Sequence, residues 1–256
     1  MRTFFESIVA AFSMYSKIPM PQINWSEKNM RFSFVFFPLV GAVIAAILWF
    51  LYFVFRNYLL SPAFFAATAV FTTVFLTGGI HLDGYCDTTD ALSSHKDREE
   101  KLRILKDPHV GAFAVIYTTA ILLLQCGAWY QIFMNAHNIA FILVVFILSR
   151  SLAGFAVLSF PRARNTGLAS TFAGYSSQRA VKAVFIIYIV LCLLIMLYVQ
   201  ILAGGIIIAV VFLTYAWFHF MVKKQFGGIT GDLAGFYIVV CETGVLFTAA
   251  VMGGIM

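Results

Sequence analysis

Seven stretches of this chain are long and apolar enough to cross a lipid bilayer, and no other feature restricts its fold as strongly. A crossing helix needs roughly 20 mostly apolar residues. The candidate spans are 32–55, 62–79, 111–133, 138–159, 183–202, 205–221 and 233–255. Only 11% of the residues are charged, against about 25% in ordinary soluble domains. We therefore predict an all-α, polytopic membrane protein with about seven transmembrane helices in a single domain, 1–256.

Two segments beside the predicted spans each permit more than one interpretation. The fifth and sixth stretches are separated only by Ala203-Gly204-Gly205, which permits either a tight turn or one broken helix. At the N-terminus, Glu6 interrupts an apolar run that would otherwise resemble a signal peptide. The apolar residues of that run share one helical face: Phe4, Phe5, Ile8, Val9 and Phe12. We predict an interfacial helix within a cytoplasmic N-terminal segment, 1–31.

The positions of Lys and Arg predict the orientation of the chain. If the N-terminus is cytoplasmic, fifteen of the 17 Lys and Arg fall on inner segments, Arg56 falls outside and Arg150 lies within a span. Cytoplasmic loops carry such an excess, so we predict the N-terminus inside and the C-terminus outside. The same bias accounts for the net charge of +6 without a nucleic-acid partner. Two long cytoplasmic loops result, at 80–110 and 160–182, with a shorter one at 222–232.

The first long loop contains three regularly spaced aspartates. Asp83, Asp87 and Asp90 are spaced i, i+4, i+7, which places them in one narrow sector of a helix. Like charges so arranged repel each other, and carboxylates without Cys or clustered His favour a hard cation such as Mg²⁺. A solvated helix end outside the bilayer is the alternative. His81, two residues before the first aspartate, is either a general base, a phosphate contact or a structural residue.

Two other polar segments on the predicted inner side suit phosphate binding. The mixed charges around 97–106 are typical of an exposed helix, yet they include Arg98, Lys101 and Lys106, which are residue types that bind a diphosphate. The run Gly227-Gly228-Ile229-Thr230-Gly231-Asp232 predicts a glycine-rich turn before a helix, a plausible nest for phosphate oxygens. A turn of this kind is common between spans, but Asp232 would add a metal ligand on the side that carries the aspartates.

Two charged residues fall within predicted spans. Arg150 precedes the inner end of its span by ten residues, and Glu242 follows the inner end of its own by ten. Ten residues correspond to about 15 Å of helix rise, so the two side chains lie at similar depth. Burying either alone would cost at least a few kcal/mol. We predict that they form an ion pair or line a polar cavity that opens inward.

The stretch Gly78-Gly79-Ile80-His81-Leu82-Asp83-Gly84-x-x-Asp87-x-x-Asp90 resembles the signature of the cobalamin synthase family, the adenosylcobinamide-GDP ribazoletransferases. The likeness covers the whole chain. Its other parts are Lys17-Ile18-Pro19-Met20-Pro21, Phe37-Pro38-Leu39-Val40-Gly41, Arg98 to Asp107 with Gly111, Ser149-Arg150, Ala163-Arg164 with Gly167-Leu168, and Gly227-Gly228-x-Thr230-Gly231-Asp232 with Glu242. Three positions depart from the family's pattern, and none of them is one of the three aspartates: His109, Ala169 and Val239.

The resemblance implies an enzyme of the cytoplasmic membrane of a prokaryote, active on the cytoplasmic side. It would join adenosylcobinamide-GDP to α-ribazole or its 5′-phosphate, form adenosylcobalamin or its phosphate, and release GMP, using Mg²⁺. On the matching positions we predict catalytic roles for His81, Asp83, Asp87 and Asp90, with His81 or one of these carboxylates as the base. The predicted Mg²⁺ ligands are Asp83, Asp87, Asp90 and Asp232. The predicted substrate contacts are Arg98, Lys106, Asp107, Arg150, Arg164, Thr230 and Glu242.

Two other functions compete with this interpretation. Membrane enzymes of the CDP-alcohol phosphotransferase kind also place repeated aspartates at the end of a span, but their Asp-Gly-x-x-Ala-Arg pattern is not matched at Asp83-Gly84-Tyr85-Cys86-Asp87. A transporter would use charged residues within its spans, such as Arg150 and Glu242, on an ion path. The absence of detectable inverted repeats and the gathering of charge on one face argue against transport.

Overall fold

The computed structural model describes residues 2–25, 30, 32–135, 139–163 and 178–253, and within these ranges the chain is helical with no strand. A 3₁₀ turn, Phe34–Phe36, leads into the second of eleven labelled helices. The helices are α1 Arg2–Tyr15, α2 Phe37–Asn57, α3 Pro62–Thr77, α4 Ile80–Ser93, α5 Arg98–Ile104, α6 Ala112–Asn135, α7 Ala140–Leu143, α8 Val145–Ser159, α9 Gln178–Val199, α10 Ile201–Gln225 and α11 Gly231–Val251. The predicted fold class is confirmed.

Six segments are long and apolar enough to cross a membrane: Phe34–Asn57, Ala112–Asn135, Ala140–Ser159, Arg179–Val199, Ile201–Gln225 and Gly231–Val251. The pair α3 and α4 makes a seventh candidate that is bent by 93° at its break. These helices indicate an integral membrane protein and confirm the predicted number of spans, while the orientation stays a prediction. The span Ala140–Ser159 is 89% buried and Gly231–Val251 is 72% buried, against 22% for Ala112–Asn135. The core therefore lies around α8 and α11.

The bend between α3 and α4 depends on two glycines. Gly78 and Gly79 have φ of +62° and +77°, a left-handed conformation that glycine adopts without steric cost. A Cβ on Gly78 would also lie 2.5 Å from Cγ of Lys17, whose backbone N–H donates to the Leu76 carbonyl over 2.8 Å. Because α4 turns away from α3 and carries three aspartates, we treat α3 as the crossing element and α4 as outside the membrane-spanning segments.

The hairpin between α9 and α10 differs from the prediction. The break falls at Gln200, where φ is −154° and ψ is 97°, and the Ala203-Gly204-Gly205 run lies inside α10. Gly204 has a packing role instead: a Cβ there would lie 2.4 Å from the Met196 carbonyl oxygen on α9. The glycine permits a close approach of two antiparallel helices and does not form the turn, so the predicted boundary was wrong by a few residues.

The N-terminal run is helical, as predicted, and packs against the protein. Val9 and Phe12 are buried, whereas Phe4 and Phe5 are 62% and 59% exposed. The Phe4 ring nonetheless meets the Phe36 ring edge-on at a centroid separation of 5.1 Å. The described residues leave this apolar edge of α1 uncovered, and the interfacial location of the helix stays a prediction.

Candidate functional site

The start of α11 and the first turns of α4 approach each other closely because glycines face the contact. A Cβ on Gly84 would lie 2.5 Å from the backbone oxygen of Asp232, and a Cβ on Gly235 would lie 3.2 Å from Cα of His81. This contact brings Asp83 and Asp232 to the wall of one cavity of about 140 Å³. Two aspartates that are far apart in sequence are thus placed together, as the predicted metal site requires.

The glycine-rich turn before α11 forms a capped helix start. The Thr230 hydroxyl accepts a hydrogen bond from the Leu233 N–H over 3.2 Å and donates one to the Asp232 carboxylate over 3.3 Å. Gly227 has a φ of +68°, and Gly228 packs so closely on the backbone of residues 161–163 that a Cβ would lie 2.4 Å from Ala163 N. The predicted glycine-rich turn before a helix is confirmed: Thr230 is the N-cap of α11, and Asp232 lies in its first turn.

Backbone hydrogen bonds join the same turn to residues 161–163, at the beginning of the second long loop. The Ile229 N–H donates to the Pro161 carbonyl over 2.8 Å, and the Ala163 N–H donates to the Ile229 carbonyl over 3.2 Å. These bonds bring the chain that leads to Arg164 next to the acidic site. Arg164 itself lies outside the described residues, so its predicted substrate contact is not located.

The aspartates of α4 have an unfavourable electrostatic environment. Burial first, and then the charges of Asp83, Asp232 and Asp90, raise the pKa of Asp87 to about 7. Asp83 is exposed and Asp87 is partly buried, so both remain within reach of a solute. Within the ranges that the structure describes, no three His, Cys, Asp or Glu side chains are already close enough to hold a metal ion. A divalent ion would have to draw these carboxylates together.

Asp90 differs from the other two aspartates of α4 because it faces the beginning of α6. Its Oδ1 accepts a hydrogen bond from the Ala114 N–H over 3.4 Å, and a Cβ on Gly111 would lie 2.1 Å from its Oδ2. A carboxylate at this position satisfies an N–H of the first helical turn and interacts favourably with the helix dipole. Asp90 therefore joins α4 to α6, in addition to the metal role that the sequence predicts for it.

The basic helix α5 packs on the turn that precedes α11. The guanidinium of Arg98 lies on Gly227, where a Cβ would be 2.0 Å from its Cζ. Lys101, which the sequence presents as one of several surface cations, is buried and donates to the side-chain oxygen of Gln225 over 2.5 Å. Asp97 caps α5 by accepting from the Glu100 N–H over 2.9 Å. Arg98 is thus held beside the glycine-rich turn for which phosphate binding is predicted, and its side chain is exposed.

Lys106 and Asp107 lie beyond α5, and both are exposed. Asp107 accepts hydrogen bonds from the backbone N–H of His109 over 3.0 Å and from its ring Nδ1 over 2.6 Å. These two hydrogen bonds, the backbone one first, hold the pKa of Asp107 below its ordinary value. Both residues remain open to solvent and available to a substrate, and their predicted contacts stay predictions.

The two charged residues within spans form the predicted pair. Arg150 donates from Nη1 to Oε1 of Glu242 over 2.6 Å, and the same oxygen accepts from the Ser149 hydroxyl over 2.8 Å. Arg150 is 1% exposed and also donates to the Phe146 carbonyl over 2.9 Å. Both residues line a small cavity of about 40 Å³ with His81 and Gln125. The predicted ion pair is confirmed, and the same two residues also line a cavity, whose predicted opening toward the inner side stays a prediction.

His81 lies between this buried cavity and the larger cavity at Asp83 and Asp232, since it lines both. Its ring is buried, meets the Phe37 ring edge-on at 5.8 Å, and leaves Nε2 without a hydrogen-bond partner in the described structure. Burial first, and then the positive charge of Arg150, hold the pKa of His81 well below its ordinary value. Burial and the neighbouring guanidinium thus both disfavour the protonated imidazole.

Several residues of this region were not singled out from the sequence. Lys17 lies over Gly78 beside the start of α4, and Gln225 holds Lys101. Gln125 donates to the Thr243 hydroxyl over 2.8 Å close to Glu242. A polar residue within an apolar span is the signal that could have identified Gln125. Lys17 belongs to the segment Lys17-Ile18-Pro19-Met20-Pro21 of the family likeness, but only the structure shows its position over Gly78.

Known proteins share this sequence over nearly its full length. Residues 7–250 match the family model described as cobalamin-5-phosphate synthase. A protein of Lachnoclostridium phytofermentans named adenosylcobinamide-GDP ribazoletransferase is 39% identical, over 92% of this chain and 90% of its own. Proteins with the same name from Clostridium botulinum strain Alaska E43 and Geobacillus strain WCH70 are 33% and 31% identical, over 97% and 95% of this chain and 98% and 94% of their own. No solved structure matches.

Proposed function

We propose that this chain, which belongs to the cobalamin-5-phosphate synthase family, is an adenosylcobinamide-GDP ribazoletransferase like the relatives it matches. It would transfer the cobinamide-phosphate group of adenosylcobinamide-GDP to α-ribazole or its 5′-phosphate and release GMP. The observation that carries the proposal is the meeting of Asp83 on α4 with Asp232 at the start of α11, next to the basic helix α5. The phosphotransferase and transporter alternatives raised by the sequence are not favoured by these relatives.

The reaction forms one phosphorus–oxygen bond and breaks another. A ribose hydroxyl of the acceptor attacks the phosphorus attached to cobinamide, the bond to the GMP phosphate breaks, and the hydroxyl proton passes to a base. We assign the proton to an aspartate of the α4 group, because the His81 ring is buried and its pKa is lowered. Catalysis of this kind depends on positioning and on neutralising the phosphate charges.

The donor set supports a magnesium ion as the cofactor. Asp83, Asp87 and Asp232 offer carboxylate oxygens, which Mg²⁺ prefers, and Asp90 is the fourth candidate although it also holds α6. The raised pKa of Asp87 supports the assignment, because a cation would relieve the crowding of negative charge. When bound, Mg²⁺ would supply positive charge to the diphosphate of the donor. The protein's own part is to hold the carboxylates on two helices fixed by glycine contacts.

The remaining predicted contacts divide by depth. Arg98 lies beside the turn before α11, Thr230 hydrogen-bonds the Asp232 carboxylate, and Lys106 and Asp107 are exposed after α5. Arg164 follows the segment tied to Ile229. We propose that these residues hold the phosphates and the nucleotide. Arg150 and Glu242 lie deeper and bind each other. We propose that they position α8 and α11 behind the site.

The active site would face the cytoplasm of a prokaryotic cell, where nucleotide substrates occur. This proposal rests on the distribution of Lys and Arg, which lie almost entirely on the side that carries α4, α5 and the turn before α11.

A direct assay tests the proposed function. The purified protein in detergent is supplied with adenosylcobinamide-GDP, α-ribazole and Mg²⁺, and GMP and the cobalamin product are measured by chromatography. We expect both products in equal amounts from the wild-type protein and a loss of both with Asp83→Ala. Failure of the wild type to form GMP, or full activity of Asp83→Ala, would contradict the assignment. A liposome flux assay with the same protein would detect transport, which we do not expect.

A further inference from the structure

The cavity at Asp83 and Asp232 has two unlike ends. Its inner wall is made of buried apolar side chains, among them Phe34, Phe37, Val157 and Ile238. Asp83 and Gly231 are exposed and mark its mouth. An apolar chamber thus opens directly beside the carboxylates at which the proposed phosphoryl transfer takes place.

We propose that this chamber, given the proposed function, binds the dimethylbenzimidazole base of α-ribazole, with the ribose at the mouth beside Asp83 and Asp232. The volume of the cavity is about 140 Å³, and an apolar protein cavity of about 150 Å³ accommodates a benzene ring. The dimethyl-substituted six-membered ring therefore fits inside, and the imidazole half extends toward the mouth. This placement sets the ribose hydroxyls next to the aspartates.

The aromatic residues of the inner wall suit a flat ring. Phe34 and Phe37 stack at an interplanar angle of 14° with centroids 6.0 Å apart, and the Tyr15 ring lies 4.5 Å from that of Phe37. Aromatic rings pack favourably at such separations in stacked or edge-to-face arrangements. The planar, apolar six-membered ring of the base can extend this group of aromatic rings without burying a polar atom among them.

The number of polar side chains that line the cavity favours one of the two substrate bases over the other. Guanine, the base of the donor's nucleotide, carries several donors and acceptors, and burying them unpaired is costly. Among the described residues, the polar side chains that line the cavity are Tyr15, His81, Asp83 and Asp232, and the two aspartates are the more exposed of these. Dimethylbenzimidazole in α-ribazole offers a single ring-nitrogen acceptor. The chamber therefore matches the acceptor's base and disfavours guanine, while the corrin ring is far too large for it.

Two substitutions of opposite sense test the inference. Ala234 lines the cavity near its mouth, and Ala234→Leu reduces the space, whereas Val157→Ala enlarges the inner end. One methylene in an apolar pocket changes specificity by about 10–200-fold. We expect Ala234→Leu to raise the KM for α-ribazole at least about tenfold and to penalise the analogue without the two methyl groups less. Val157→Ala should favour an acceptor with a larger base over α-ribazole, relative to the wild type.

The control is Val240→Phe on the same helix. Val240 lines a separate cavity with Trp217 and Tyr117, so its substitution should leave the KM for α-ribazole unchanged. The KM for adenosylcobinamide-GDP should stay within about twofold for Ala234→Leu and Val157→Ala.

The inference is overturned if the wild type is active but both cavity variants treat all acceptors alike, or if the donor KM changes instead of the acceptor KM. If Ala234→Leu does not fold, the acceptor preference of Val157→Ala decides alone. Absence of GMP from the wild type with every acceptor would instead contradict the proposed function itself.

Discussion

Two carboxylates on α11 lie ten residues apart in sequence and have opposite surroundings. Glu242 lies within the span, where Arg150 and Ser149 both donate to one of its oxygens. Asp232, in the first turn of α11, shares a cavity with Asp83 and contributes to raising the pKa of Asp87. The deeper carboxylate is neutralised by a cation of the protein itself. The acidic residues nearer the surface instead crowd negative charge around Asp87.

This difference indicates which region is structural and which is poised to bind a ligand. A buried charge pair carries a desolvation cost of its own, and removing one partner is strongly destabilising because it leaves the other charge buried and uncompensated. Carboxylates crowded together reduce stability until a cation binds, and such perturbed groups tend to occur at functional sites. The two regions should therefore respond oppositely to mutation.

The largest expected effect on activity is at the acidic site. Asp87→Asn should lower kcat about 10²–10³-fold, as the loss of one electrostatic contributor does in other enzymes. The same change should not destabilise the metal-free protein. In the folded protein the pKa of this carboxyl is about 7, against 3.8 for an ordinary aspartate. Once the pH rises above 3.8, the carboxyl ionises more readily in the unfolded chain, so it lowers the free energy of unfolding. Melting temperatures at pH 8 without metal would show Asp87→Asn equal to or above the wild type, and a clear drop would contradict the comparison.

At the buried pair the loss should appear in stability. Glu242→Ala leaves the Arg150 guanidinium without its carboxylate, and we expect a loss of about 3–5 kcal/mol in the free energy of unfolding. The double variant Arg150→Met/Glu242→Ala should recover part of that loss, since no unpaired charge remains. A double-mutant cycle in detergent measures the coupling. Additive losses from the two single changes would mean that the pair seen in the structure contributes nothing.

Mg²⁺ should raise the melting temperature through the acidic site and not through the buried pair, and this effect should be smaller than the two above. At a concentration of 100 times its Kd, a ligand that binds only the folded protein stabilises it by about 2.7 kcal/mol. We expect Mg²⁺ to raise the Tm of the wild type and of Ser149→Ala, which weakens only the buried pair. Asp83→Asn should abolish the rise. An equal rise in all three proteins would place the ion elsewhere, and Ca²⁺ and K⁺ serve as controls for charge alone.

The smallest effect on stability is expected at Asp107. This aspartate is exposed and interacts with His109 at the surface, where ion pairs contribute little. Asp107→Asn should change the free energy of unfolding by less than about 0.5 kcal/mol. Any change in activity would then report a contact with substrate, which the KM for adenosylcobinamide-GDP would reveal. Lys96→Ala, on the exposed connection before α5, is the matched surface control.

Much of the architecture follows from simple patterns in the sequence. Hydropathy located the spans to within a few residues, because lipid demands length and apolarity from each of them. The i, i+4, i+7 spacing placed three aspartates on one helix, which α4 confirms. The equal ten-residue offsets of Arg150 and Glu242 predicted their pairing, because both offsets were counted from the same predicted side of the membrane.

Contacts between distant segments could not be derived in this way. Asp90 meets Gly111 across a loop, and only the three-dimensional path of the chain shows that its carboxylate serves α6. Nothing in the sequence distinguishes Lys101 from the exposed charged residues around it, yet it is buried and its ammonium group donates to Gln225. Gly204, which looks like part of a turn in the sequence, instead lets two helices touch, because glycine serves both purposes.

The contact between Asp90 and Gly111 has a consequence for how this enzyme could diversify. Residues 91–110, which include α5, are closed into a loop where Asp90 meets Gly111, and α5 is also held to the bundle by the contact of Lys101 with Gln225. Loops whose ends are fixed tolerate changes of length and sequence at low entropic cost. Exchanging this segment between family members would therefore transfer the basic surface beside the site as one unit, provided that the contact between Lys101 and Gln225 is kept.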